Sequence, residues 1–166
     1  MNKSELEYRM YGWTPYQLTG IQQGIQFGHA AIEYSIAFQE TPEYKKWSQI
    51  DKTFIIYNGG TTNNNPDNLG GLNEIEQILF DNRINYATFN EPDLGDQLTA
   101  VVMLVDERVW NRRKFPDFNG GYVTTGWGPA KPANFNGEYD AWKDQFGEDV
   151  EQILFLRDYL KNFRFA

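Results

Sequence analysis

Residues 98–105, Leu-Thr-Ala-Val-Val-Met-Leu-Val, restrict what this chain can become more than any other stretch. The run is uncharged and rich in valine, which suits a strand. Because it is continuously apolar rather than alternating, it suits a strand covered on both faces. Such a strand needs a sheet around it and helices on that sheet. Thr53–Tyr57 reads as a second strand, ended by Asn58-Gly59-Gly60. Tyr86–Phe89 reads as a short third, and Leu6–Tyr11 as a first strand closed by the turn Gly12-Trp13-Thr14-Pro15. The first helix is expected from Thr19 to Phe38, with Thr19 and Gln22 as a capping box. Ile21, Ile25, His29, Ile32 and Ile36 recur at three- and four-residue spacing and are expected to form its buried stripe. Thr41-Pro42 starts a short helix over Glu43–Trp47, and Leu72, Ile75, Ile78 and Leu79 give the apolar face of a helix over Leu72–Asn82. The polar loop Thr61–Gly71 is expected to be mobile. The order strand, helix, strand, helix, strand, strand predicts an α/β fold, a mixed four-stranded sheet flanked by helices.

At 166 residues the expectation is one domain: a core over 1–110 and an aromatic-rich C-terminal extension over 111–166 packed on it. The extension opens on a basic cluster, Arg108, Arg112, Arg113 and Lys114. It continues through a Gly-, Pro- and Asn-rich stretch, 115–139, that holds Phe118, Tyr122, Trp127 and Phe135, and ends in a helix over Glu148–Asn162. A formal charge of −8 disfavours nucleic acid for the chain as a whole. Arg112, Arg113 and Lys114 are nevertheless the natural phosphate clamp, with Trp110 and Trp127 available to stack a base. With no cysteine and one histidine, a thiol nucleophile, a disulfide and the usual zinc sites are excluded, and neither metal nor cofactor is expected. Residues 1–5 carry no apolar segment, and no apolar run approaches the ~20 residues of a membrane span. A cytoplasmic protein with no membrane partner is expected.

The candidate site gathers at the start of the first helix, where unpaired N–H groups favour an anion. Gln22 and Gln26 share one face of its first turns, and His29 lies beside them. Asp93 is the candidate general base, although Asp before Leu-Gly is equally good turn chemistry. Glu91 is a possible second carboxylate, with Pro92 between the two. Thr99, at the start of the central strand, can donate a hydrogen bond.

Two of these segments resemble a known family. Gln26-Phe27-Gly28-His29-Ala30-Ala31 resembles the Gln-x-x-His-Ala signature of the archaeal and eukaryotic type of peptidyl-tRNA hydrolase. Phe89-Asn90-Glu91-Pro92-Asp93-Leu94-Gly95 through Thr99-Ala100 resembles that family's second signature in its bacterial and phage relatives. The resemblance covers roughly residues 6–106, and the tail Leu160–Ala166 looks like the ending of phage-encoded members. It implies a mixed sheet with helices on both sides, often a dimer, and hydrolysis of the ester joining a peptide to the tRNA 3′ ribose. By position it assigns Gln26 and His29 to the first signature and Asp93 and Thr99 to the second. The family's helix-start lysine falls at Gln22, which can hydrogen-bond but carries no charge. The first functional expectation is therefore a phage counter-defence protein that binds or cleaves a small cyclic nucleotide immune signal. The alternatives are a genuine peptidyl-tRNA hydrolase acting at the tRNA 3′ end and a non-enzymatic interaction module.

Overall fold

A computed structural model describes residues 2–117, 122–123, 131–132 and 143–166. Contacts divide the chain into two units, one of Tyr8–Val105 with Phe163–Ala166, the other of Met1–Glu7 with Asp106–Asn162. The first unit contains β1 (Tyr8–Thr14), α1 (Gly20–Phe38), α2 (Pro42–Lys46), β2 (Thr53–Asn58), α3 (Gly71–Asp81), β3 (Ala87–Glu91) and β4 (Gln97–Asp106), whose last residue opens the second unit. The strands form one sheet in the order β2-β1-β4-β3. β1 and β2 run parallel and β3 and β4 antiparallel, so the sheet is mixed. β4 lies inside it and is buried from Leu98 to Met103, as its unbroken apolar sequence requires.

β1 runs on to Thr14 through the Gly12-Trp13 pair that reads as a turn in the sequence. Gly12 is there because α1 comes down on it. A Cβ at this position would stand 2.5 Å from Phe27 Cε2, 2.7 Å from the Val101 carbonyl oxygen and 2.8 Å from Val102 Cγ1. A glycine inside a strand marks close approach of a neighbour as readily as a turn. Gly12→Ala is therefore expected to lower the unfolding free energy by about 1–3 kcal/mol through overpacking. Urea denaturation checks this; an unchanged midpoint would refute the contact.

The capping box of α1 forms as expected. The Gln22 amide donates to Thr19 Oγ1 at 3.3 Å, and the Thr19 amide donates to Gln22 Oε1 at 3.0 Å. The expected buried stripe does not form. Ile21, Ile25, Ile32 and Ile36 are exposed and His29 is half-buried, while Gln26, Phe27, Ala30 and Tyr34 face the core. Phe27 needs the hole left by Gly12 and meets Phe54 edge-on at 5.6 Å, and this fit sets the helix's rotation. Shape complementarity outweighed the greater hydrophobicity of the isoleucine side.

α2 begins as expected at Thr41-Pro42, with Thr41 Oγ1 accepting from the Tyr44 amide, and winds on through a wide turn over Trp47–Asp51. α3 buries Leu72, Ile75 and Leu79. The Thr61–Gly71 loop, expected to be mobile, is stitched. Thr62 Oγ1 donates to the Leu98 carbonyl at 2.7 Å, Asn73 Oδ1 accepts from the Asn63 amide at 2.9 Å, and Asn73 Nδ2 donates to Asn64 Oδ1 at 2.7 Å. Its asparagines serve as backbone caps rather than solvated spacers. The last residues return to β2, where the Asn58 amide donates to the Arg164 carbonyl at 2.9 Å and the Phe165 ring stacks on Tyr57 at 5.5 Å. They cover an edge strand that would otherwise offer open hydrogen bonds.

The second unit holds the helical turn α4 (Glu107–Trp110), the short antiparallel pair β5 (Tyr122–Val123) and β6 (Lys131–Pro132), and α5 (Val150–Tyr159) extended by a 3-10 turn over Leu160–Asn162. It is built around buried cations. Arg108 is 1% exposed; it donates to Asp106 Oδ2 at 2.7 Å, to Asp149 Oδ1 at 2.7 Å and to the Phe146 carbonyl. Arg157, also buried, donates to the Arg108 carbonyl at 2.6 Å and to Asp117 Oδ1 at 2.6 Å. The basic cluster expected to clamp phosphate is largely occupied here. Arg112 binds Asp117 at 2.6 Å and Lys114 binds Glu107 at 2.6 Å, while Arg113 is exposed. Most of the 115–139 stretch, Trp127 included, lies outside the described residues. No described helix is long and apolar enough to cross a membrane.

Candidate functional site

The site begins with a break in strand pairing. Along β3 and β4, Phe89 pairs with Ala100, but Asn90 pairs with Leu98. Thr99 is thus the extra residue of a β-bulge, a device that re-aims a side chain. Its hydroxyl lies 2.5 Å from Gln26 Oε1, to which it donates, and 3.3 Å from the Phe89 carbonyl. Gln26, on the buried face of α1, turns its other end outward, and Nε2 donates to Glu91 Oε2 at 2.7 Å. A buried threonine, a buried glutamine and a half-buried carboxylate therefore form one chain of hydrogen bonds. It links residues from α1, β3 and β4 that are up to 73 positions apart.

Glu91 ends β3 and caps a 3-10 turn over Pro92–Leu94, with Oε1 accepting from the Asp93 amide at 3.3 Å. Gly95 at φ 67° and Asp96 at φ 58° turn the chain back into β4, and Asn90 Nδ2 ties the turn by donating to the Asp96 carbonyl at 2.9 Å. The hydrogen bond from Gln26 and then that from the Asp93 amide hold the Glu91 carboxyl below its ordinary range. Burial opposes this, and the charge of His29 adds to it. Glu91 is therefore a fixed, ionised acceptor at neutral pH.

His29 sets its ring edge against Phe89 at 4.4 Å and 78°. Its Nδ1 is buried with no hydrogen-bond partner among the described residues. Phe89, which the sequence marked as a strand end and the start of the second signature but not as a site residue, thus positions two site residues at once, through its ring and its carbonyl. The register break that places it is invisible in composition.

The structure brings together Gln26, Glu91, Thr99 and His29. Asp93 stands on the exposed 3-10 turn, and its contact with the group is its backbone amide on Glu91. The carboxylate that enters the network is Glu91, because a 3-10 turn that starts at Pro92 leaves the residue before it at the strand end. Gln22 is exposed, and its Oε1 is engaged by the Thr19 amide in the capping box rather than joined to the Gln26 network. Arg112, Arg113 and Lys114 belong to the other unit. Among the described residues no group of His, Asp and Glu is arranged to hold a metal ion.

Chemically, the arrangement presents an ionised carboxylate, an oriented amide and an imidazole along one side of α1. Comparison with models of known protein families finds no match, and no curated protein matches the chain.

Proposed function

We propose that the chain is a hydrolase of the peptidyl-tRNA-hydrolase type, acting on an uncharged carbonyl ester through Glu91, Gln26, Thr99 and His29. The observation that carries this reading is the Thr99–Gln26–Glu91 chain, which joins the two signature segments at 2.5 and 2.7 Å. In this scheme Glu91 takes a proton from water as the water oxygen attacks the ester carbonyl. His29 donates a hydrogen bond to the developing oxyanion. The tetrahedral intermediate then expels the ribose oxygen, which recovers the proton from Glu91. Gln26 and Thr99 hold Glu91 in place.

Electrostatics favour a neutral reacting group over a phosphodiester. The proton acceptor of the network is a carboxylate, and Gln22, at the helix start, carries no charge. Arg112 and Lys114 already carry acidic partners. A cyclic nucleotide signal would bring its phosphates towards the Glu91 carboxylate with His29 as the one basic side chain among these four residues, so it ranks second.

The test is release of the blocked amino acid from N-acetyl-aminoacyl-tRNA, run beside a panel of cyclic di- and trinucleotides. Ester turnover is expected, with Glu91→Gln reducing it about 100-fold or more and Arg113→Ala leaving it unchanged. Absence of turnover at high enzyme concentration would remove the esterase reading. Consumption of a cyclic nucleotide instead would establish the other.

A further inference from the structure

Between α3 and Tyr86, just before β3, lies a cavity of about 370 Å³ lined by Asn73, Glu76, Gln77, Phe80 and Tyr86. All of these residues lie in the unit of the sheet, and none belongs to the Thr99–Gln26–Glu91 chain. Its side-chain donors and acceptors are unevenly spent. Each donor atom already has an acceptor. The Tyr86 hydroxyl donates to Glu76 Oε1 at 3.4 Å, Gln77 Nε2 to Asp81 Oδ1 at 3.0 Å and Asn73 Nδ2 to Asn64 Oδ1 at 2.7 Å. The acceptors remain open. A carboxylate offers about four acceptor sites, and among the described residues the long bond from Tyr86 is what Glu76 receives. Gln77 commits its amide nitrogen to Asp81, which leaves its oxygen to accept.

The charge of this corner is one-sided as well. α3 carries Glu74, Glu76 and Asp81 and no lysine or arginine. Phe80 and Asp81 end the helix, at the negative pole of its dipole, where a cation is favoured and a carboxylate is not. Among the described residues Glu76 has no basic partner at ion-pair distance; it meets a phenol instead. Burial and then the charge of Glu76 hold that phenol above its ordinary range, so Tyr86 stays a neutral hydroxyl. Phe80 leaves its ring 66% exposed beside these groups.

We propose that this cavity binds the guanidinium of an arginine side chain carried by a partner peptide, paired with Glu76 and stacked on Phe80. A guanidinium consists of donors only, set in one plane, and so matches a carboxylate whose acceptor sites are open. Its faces stack on aromatic rings, and it gives up water more readily than an ammonium does. The surroundings point to a peptide as its carrier. Past Phe80 the surface continues into a second cavity of about 530 Å³, which Asp81, Arg83 and Ile84 also line. Arg83 keeps a further cation out of it, while Phe80 and Ile84 offer apolar contact to a neighbouring side chain. Cavities that share one ring in this way suit adjacent residues of a polypeptide, an arginine in the first and an apolar residue in the second. The net charge of −8 adds a general attraction for a basic partner.

Titration of the ¹⁵N-labelled full-length chain with the peptide acetyl-Leu-Arg-Leu-amide, followed by amide shifts and by calorimetry, tests this. Saturable binding is expected, with the shifts gathered on α3 and Tyr86. Citrulline in place of the peptide's arginine keeps the shape and removes the charge, and it should weaken binding at least ~10-fold. Glu76→Gln should do the same, and Phe80→Ala should weaken binding about 3-fold. Both variants should keep the wild-type Tm, since glutamine can still accept from Tyr86 and Phe80 is exposed. Absence of saturable binding overturns the proposal, as does a citrulline peptide or a Glu76→Gln chain that binds as tightly as the original pair. Equal affinity for the lysine peptide overturns the guanidinium assignment. Equal affinity for free methylguanidinium overturns the peptide as its carrier.

Discussion

Arg108→Met is expected to cost about 3–5 kcal/mol of stability, more than any other single substitution considered, because it strands charges that have already left water. Arg108 is 1% exposed, and it bridges Asp106 and Asp149, whose side chains are 8 and 24% exposed. Removing the guanidinium leaves two carboxylates facing each other and the Phe146 carbonyl without its donor. Burial pushes the Asp149 carboxyl upward, but hydrogen bonds from Arg108 and then its charge outweigh burial and hold the group below its ordinary range. A depressed carboxyl lends stability at neutral pH and loses it as the pH falls through its folded value. The wild type should therefore weaken below the usual carboxylate range, and Arg108→Met should show a flatter acid limb. Urea denaturation at several pH values checks both. Adding Asp149→Leu to Arg108→Met should recover part of the loss, since it removes one unpaired charge. A variant as stable as wild type would mean that the network contributes nothing.

Gln26→Leu is expected to reduce ester turnover about 100-fold with only a modest stability cost, about 1 kcal/mol for the lost buried hydrogen bond to Thr99. The substitution keeps the volume and removes both polar ends. Thr99 is left with the Phe89 carbonyl at 3.3 Å, and Glu91 with the Asp93 amide. The Glu91 carboxyl is held low first by Gln26, so its titration should move upward in the variant. Loss of activity on acidification should then begin at higher pH than in the wild type, because Glu91 acts in its ionised form. A ¹³C NMR titration of the Glu91 carboxyl beside the pH–rate profile separates this from a packing defect. Curves that coincide in the two proteins would show that Gln26 does not tune Glu91.

The local signals in this chain are strong wherever a few neighbouring residues decide the outcome. The capping box of Thr19 and Gln22, the Thr41-Pro42 helix start, the Gly95 turn and the apolar run of β4 all appear where the residues place them. Each depends on backbone groups within a few positions of the side chain involved. The candidate site was legible as a set of segments. Gln26, His29, Glu91 and Thr99 were all picked out, but the choice between Glu91 and Asp93 was not. That choice depends on where β3 ends and the 3-10 turn begins, a matter of one residue.

What the sequence determined by itself is the alternation of strands and helices, their approximate limits and the uncharged strand around which a mixed sheet had to form. The tertiary structure alone decided which way each element faces. The rotation of α1 followed the fit of Phe27 over Gly12, placing four isoleucines outside, against the hydrophobic pattern. A one-residue bulge between β3 and β4 aimed Thr99 at Gln26. The basic cluster found its carboxylates within its own unit, and residues 163–166 joined the unit of the sheet while residues 2–7 joined the other. The physical reason is common to all of these. Periodicity reports that a face is apolar, but which of two such faces is buried depends on the shape and charge of a surface brought in from a distant part of the chain.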